Sequence, residues 1–236
     1  MKLFIGLFIY ITSIISPAFS ANHINSNSVW LPWDTSEGQL RIERSNAKEN
    51  FWKIVRFYES QITLTFCGIT SSVIALNALS VEAPPSQVLG KYRMFTQEEF
   101  FTESVSAVIN KSDIEERGIT LNELACVLGT FPVTLEKFTA KTLSSEEMRM
   151  ILVSALKNPN QVVLGLYQRQ VLNQDGGGHW SPVAAYDELS DSFLILDVAR
   201  YKYPPVWIEA PAFMNAMQTT NAYNESRGFI IIENDM

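Results

Sequence analysis

The chain has 236 residues, 47% hydrophobic and 18% charged, with a formal net charge of −7. That size and composition suit one domain, or two lobes sharing a core. An acidic chain with no Lys/Arg run is poorly matched to nucleic acid, and that class of partner is set aside.

Met1 to Ser20 stands apart: Lys2 is followed by an apolar run to Ile15, then Ala18-Phe19-Ser20 before Ala21. This pattern predicts a secretory signal peptide cleaved near Ser20 and a secreted or periplasmic mature protein. The run is short for a bilayer span, an uncleaved anchor being the alternative, and no later stretch is long enough, so no membrane partner is expected for the mature form. Residues 21–50 are polar and Asn/Ser-rich around Trp30-Leu-Pro-Trp33, and they read as an extended arm lying along the body or along a partner subunit. Residues 51–236 form the body.

Within the body, Gln61-Ile-Thr-Leu-Thr-Phe-Cys67 leads into small and polar residues and then Val73, Leu76 and Leu79 at helical spacing. That pattern predicts a buried helix with Cys67 at its start. The unpaired amides there favour thiolate over thiol. Gln61, six residues upstream, can return its side-chain amide to the neighbourhood of the sulfur and hydrogen-bond a developing oxyanion. Beyond Pro84-Pro85, Met94 to Ile109 reads as a helix, and Gly118-Ile-Thr120 caps another that ends near Gly129. Thr142 to Leu156 is a further helix with Ser144 or Ser145 as N-cap. The period then changes: 161–168 suits a central strand, 179–186 and 193–197 alternate as strands around a turn at Asp187 to Asp191, Ala210 to Thr219 is helical, and 228–233 closes the chain as a strand. Helices first and antiparallel strands second predict an α+β fold with segregated lobes.

The only other cysteine, Cys126, lies in an amphipathic stretch where a thiol serves as a small core residue. A Cys67–Cys126 disulfide would consume the one thiol placed for chemistry. Of two histidines, His23 lies in the arm, and His179 follows Gly176-Gly-Gly178 at a strand start. His179 is therefore the candidate base for Cys67, taking the thiol proton and returning it to a leaving amine. Asp197, a carboxylate ending an apolar strand, is the candidate to orient the ring, whereas Asp187 and Asp191 read as solvated turn residues. Arg169, Arg200 and Arg227 are strand-end charges, solvated or clamping a carboxylate. No ligand spacing suggests a metal site.

Phe66 to Leu79, Gly177 to Tyr186, Leu194 to Trp207 (with Leu-Asp-Val-Ala-Arg-Tyr-Lys-Tyr-Pro-Pro), Gly118-Ile-Thr-Leu, Ala125-Cys126 and Ser226-Arg-Gly-Phe229 together resemble the phytochelatin synthases. The resemblance covers most of residues 50 to 233. It implies a papain-like catalytic domain over 51–236, a triad of Cys67, His179 and Asp197, and Gln61 as oxyanion donor. It further implies cleavage of the Cys–Gly amide of glutathione through a γ-Glu-Cys acyl-enzyme. Arg169 and Arg227 would hold glutathione carboxylates, and Tyr167 and Gly178 would line the same pocket. No cofactor is implied for acylation, and heavy metal (cadmium or zinc) would enter as the metal–thiolate form of the substrate. A homodimer is in keeping with the family. Plant members carry a cysteine-rich C-terminal extension; this sequence ends at Met236 and resembles the short bacterial form, in which hydrolysis outweighs transfer to a second glutathione. Two rivals are a papain-like peptidase of other Gly-containing peptides and a non-catalytic thiol- or metal-binding protein.

Overall fold

The computed structural model describes residues 28–86 and 89–235. The signal-peptide reading, His23 and the first part of the arm lie outside the described residues. From Trp30 the chain is not an extended arm. It forms strand β1 (Trp30–Pro32) and helix α1 (Ser36–Arg44), with Thr35 as N-cap accepting from Gly38 N. The Trp33 and Pro32 carbonyls crowd Gly38 so closely that only glycine fits there. Trp207 Nε1 donates to the Gly38 carbonyl at 3.0 Å, tying this segment to the body.

Helices α2 (Phe51–Phe57) and α3 (Cys67–Ala78) follow. Where one helix is expected over 94–109, a turn at 97–100 precedes a short α4 (Glu103–Val108). Phe95 before that turn and Phe100 at its end are both buried, and Thr102 caps α4 through Val105 N. Burying two aromatics in quick succession outweighs helix continuation. Next come α5 (Lys111–Arg117) and α6 (Leu121–Leu128), the latter with a Thr120/Glu123 capping box. Helix α7 (Ser145–Leu156) has the expected Ser144 cap.

The strands β2 (Val133–Thr139), β3 (Gln161–Gln168), β4 (Gly178–Asp187), β5 (Ser192–Ile195), β6 (Val206–Glu209) and β7 (Gly228–Asn234) join β1 in one seven-stranded sheet. Its order is β1-β6-β5-β4-β3-β7-β2, and every pairing is antiparallel. Strands β2 and β6 were not anticipated; β2 is half-exposed and mixes Thr, Glu and Lys with its apolar residues, which masks alternation. The fold is α+β, with β3 interior as expected.

The lobes, however, are not segregated. On one sheet face Val162, Leu164, Leu166, Trp180 and Ile230 pack against α2, α3 and α6. On the other face Val163, Tyr167, Val183, Phe229 and Ile231 pack against α7 and α8 (Ala210–Met217). Odd and even positions of β3 are both buried, so helices must cover both faces. Each face gathers a contiguous apolar cluster.

Candidate active site

All residues of α3 are buried, so its polar side chains need internal partners. Thr70 Oγ1 donates to Gln97 Oε1 at 2.7 Å, and Asn77 exchanges two hydrogen bonds of 2.9 Å with the backbone of Phe95. Gln97 also accepts from Ile62 N and donates to the Ser60 carbonyl, so it fixes the loop leading into α3. Phe66 at the N-cap offers no side-chain acceptor, which leaves the first amides of the helix free for Cys67.

Two elements converge on that thiol. Strand β4 brings His179, whose Nε2 lies 2.9 Å from Asp197 Oδ1, and whose remaining nitrogen, Nδ1, serves the hydrogen bond to Cys67. The residue after it, Trp180, donates its backbone N–H to the sulfur, and Gly68 N does the same from the helix side. Trp180 Nε1 is anchored on the Ile119 carbonyl at 3.0 Å. A Cβ at Gly68 would meet Ile119 Cγ2 at 2.5 Å and Trp180 Cδ1 at 3.1 Å, so this glycine lets α3 and β4 approach.

Asp197 is fully buried. Arg169 Nη2 lies 2.7 Å from both of its oxygens, and Ala199 N donates to Oδ1 at 2.8 Å. The Tyr58 hydroxyl donates to the Asp197 carbonyl. Burial raises the Asp197 carboxyl, but His179 and Arg169 outweigh it and hold the group below the usual range. Burial disfavours a charged His179, yet Asp197 and Cys67 lift its pKa above the ordinary value. Burial also pushes the Cys67 thiol up, and the His179 ring with the Trp180 and Gly68 amides brings it below the ordinary thiol. The three shifts favour a thiolate–imidazolium pair beside a carboxylate.

The structure brings together Cys67, His179 and Asp197 and places Gln61 in the loop that enters α3. Gln61 is buried, its N–H bonds the Val198 carbonyl, and its Nε2 donates to the Thr63 carbonyl at 2.6 Å and the Tyr201 hydroxyl at 3.1 Å. Four other expectations change. Arg169 is 2% exposed and committed to Asp197 and Gln174 Oε1, so it is no free clamp; it braces the carboxylate. Tyr167 does not line the cleft but lies buried behind the imidazole, edge-on at 5.7 Å. Arg200 packs over the Tyr58 ring. Asp187 is not solvated either, since Arg44 grips both of its oxygens. Cys126 is exposed rather than in the core, and both thiols are free.

A cleft of about 330 Å³ opens beside Cys67, with Gly178, Trp180, Glu225 and Arg227 among its lining residues. Arg227 is buried without a carboxylate partner among the described residues, held by Thr219 Oγ1 at 2.8 Å and Gln168 Oε1 at 2.9 Å. Glu225 is held at 3.0 Å by Asn221 Nδ2, with no cation on it among the described residues. Among the described residues, no group of three His, Cys, Asp or Glu side chains converges on a metal position. Trp180, Tyr58, Gln97, Gln174 and Tyr201 escaped sequence reading, because their work depends on distant partners rather than local spacing.

A nucleophilic thiol, a paired imidazole and a buried carboxylate beside a cleft are equipment for covalent acyl transfer. The family follows from comparison: the model of the phytochelatin synthase family matches residues 21–229, and the chain belongs to that family. It is 32% identical over 203 residues to glutathione gamma-glutamylcysteinyltransferase 1 of Lotus japonicus, covering 84% of this chain and 39% of that protein. It is 30% identical over 207 residues to the glutathione gamma-glutamylcysteinyltransferase of Schizosaccharomyces pombe, covering 86% and 49%. It is 28% identical over 207 residues to glutathione gamma-glutamylcysteinyltransferase 1 of Arabidopsis thaliana, covering 86% and 41%. The chain thus spans about two fifths to one half of the length of these relatives.

Proposed function

We propose that this chain is a papain-like enzyme that cleaves glutathione to glycine and γ-Glu-Cys through a thioester on Cys67. The observation that carries the reading is a depressed thiol paired with His179 in the same cleft as an uncompensated, buried Arg227. A cation of that kind suits a carboxylate ligand. The carboxylate of Glu225, with no cation of its own, complements the ammonium of the γ-glutamyl end.

In this reading the Cys67 thiolate attacks the Cys–Gly carbonyl carbon, and the oxyanion forms beside the Gly68 and Trp180 amides and the Gln61 amide. The imidazolium gives its proton to the departing glycine nitrogen as the C–N bond breaks. His179 then takes a proton from water, whose oxygen attacks the thioester and releases γ-Glu-Cys. Attack by the α-amine of a second glutathione gives the (γ-Glu-Cys)2-Gly product instead. Asp197, braced by Arg169, keeps the ring oriented through both halves. We rank hydrolysis first, and place cadmium or zinc with the substrate as a metal–thiolate. The N-terminal pattern supports action outside the cytoplasm.

The deciding experiment is mass spectrometry of the protein incubated with glutathione, with and without cadmium. Glycine and γ-Glu-Cys as the main products support the reading, and predominance of (γ-Glu-Cys)2-Gly would reverse the ranking of water over glutathione. Cys67→Ser should abolish both; appreciable turnover by that variant would sink the covalent mechanism.

A further inference from the structure

The loop that carries Gln61 is laced to the segment that carries Asp197. Gln61 N donates to the Val198 carbonyl at 2.9 Å, and Tyr58 bonds the Asp197 carbonyl. From Asp197 the chain makes one tight turn, closed by Lys202 N on the Ala199 carbonyl at 2.7 Å, which projects Tyr201 back toward the loop. Its hydroxyl then meets Gln61 Nε2 at 3.1 Å. The ring is half-exposed, while the hydroxyl feels the charges of Arg169, Cys67 and Asp197.

The amide is oriented by chemistry. Exchanging its oxygen and nitrogen would set Oε1 against the Thr63 carbonyl, acceptor against acceptor, so Nε2 belongs where Thr63 and Tyr201 receive its two hydrogens. Gln61 Oε1 is buried with no hydrogen-bond partner, so it contributes nothing to fixing the amide plane. Thr63 fixes one hydrogen; without Tyr201 the direction of the other rests on the side-chain torsions alone.

We infer that Tyr201 is a positioning residue: its hydroxyl holds the second Gln61 N–H in line for the oxyanion and yields it when the tetrahedral oxygen forms. The bond to Thr63 is the shorter of the two, so the Tyr201 bond is the one exchanged. This inference rests on the glutathione-cleavage reading and on Gln61 as oxyanion donor.

The test is a double-mutant cycle on glycine release from glutathione, using Gln61→Ala, Tyr201→Phe and the pair. Tyr201→Phe keeps the ring and removes only the hydroxyl. It should lower kcat by about five- to tenfold with KM unchanged, as expected for one hydrogen bond. Gln61→Ala should cost on the order of 10² in kcat. In the Gln61→Ala background Tyr201→Phe should change nothing further. Effects that multiply, or a change confined to KM, would overturn the inference. The starting reading fails separately, if the unmodified protein releases no glycine, or if Gln61→Ala is fully active.

Discussion

At the scale of single residues, the charges around Cys67 set the pH behaviour. The thiolate is protonated as pH falls through the lowered Cys67 pKa, and the imidazolium is lost as pH rises through the raised His179 pKa. The rate of the glycine release proposed for this chain should therefore be bell-shaped in pH. Asp197→Asn removes a charge that raises the His179 pKa, so the alkaline limb should move to lower pH; an unmoved limb in a pH–rate series would show that Asp197 does not tune the ring. Arg227→Ala should raise KM for glutathione by about tenfold or more, with a much smaller change in kcat, if it binds a carboxylate in ground and transition states alike. The meeting of Cys67, His179 and Asp197 was legible in the sequence because Cys67 heads a helical pattern, His179 has no rival in the body, and Asp197 follows an apolar run. Arg169 was misjudged: nothing local reveals that a strand-end arginine turns inward to a carboxylate twenty-eight positions later in the chain.

At the scale of elements, the approach of α3 to β4 depends on Gly68. Gly68→Ala should destabilise the fold by about 1–3 kcal/mol through overpacking against Ile119 and Trp180, visible as a lowered Tm. Its activity should fall as well, since the same displacement pulls the Trp180 amide and the His179 ring from the sulfur. Thr120→Ala removes the capping box of α6 and should cost about 1 kcal/mol by denaturant titration, with the pH profile unchanged. Both α6 and α7 announced themselves through caps, which are local chemistry. Of the helix over 94–109 only α4 is present, because burial of Phe95 and Phe100 in the core goes with a turn at 97–100 instead. Strands β2 and β6 belong to the sheet through their partners, β7 and β5, more than through their own sequences.

At the scale of the whole molecule, the apolar run of β3 showed that one strand is buried on both sides, but not that helices from both ends of the chain supply the cover. The segment of α1 is joined to the sheet by Arg44, which takes both oxygens of Asp187 at 2.8 and 2.6 Å. Burial raises the Asp187 carboxyl, but Arg44 and Ser190 bring it below the ordinary value. A carboxyl lowered on folding contributes stability that is present above its unfolded pKa and lost as pH falls through its folded pKa. Arg44→Ala should therefore move acid unfolding to higher pH and lower the stability near neutrality, by an amount damped by the solvent around the arginine. Circular dichroism across an acid titration would check it, and an unchanged midpoint would mean that the contact adds nothing to the fold.

Cys67 belongs to a helix, whereas the His179 ring that favours its ionisation belongs to a strand of the sheet. Ionisation of Cys67 is thus a property of the joint between two layers, and its alkylation rate gauges how tightly they are closed. Cys126, exposed on α6 and bonded to no partner thiol, is an internal standard for the same reagent. On warming, the Cys67 to Cys126 labelling ratio should change as soon as α3 lifts from β4, while the strands are still paired and the far-ultraviolet signal is intact. The molecule carries a two-channel thermometer of its own loosening, read by mass spectrometry on the unmodified chain.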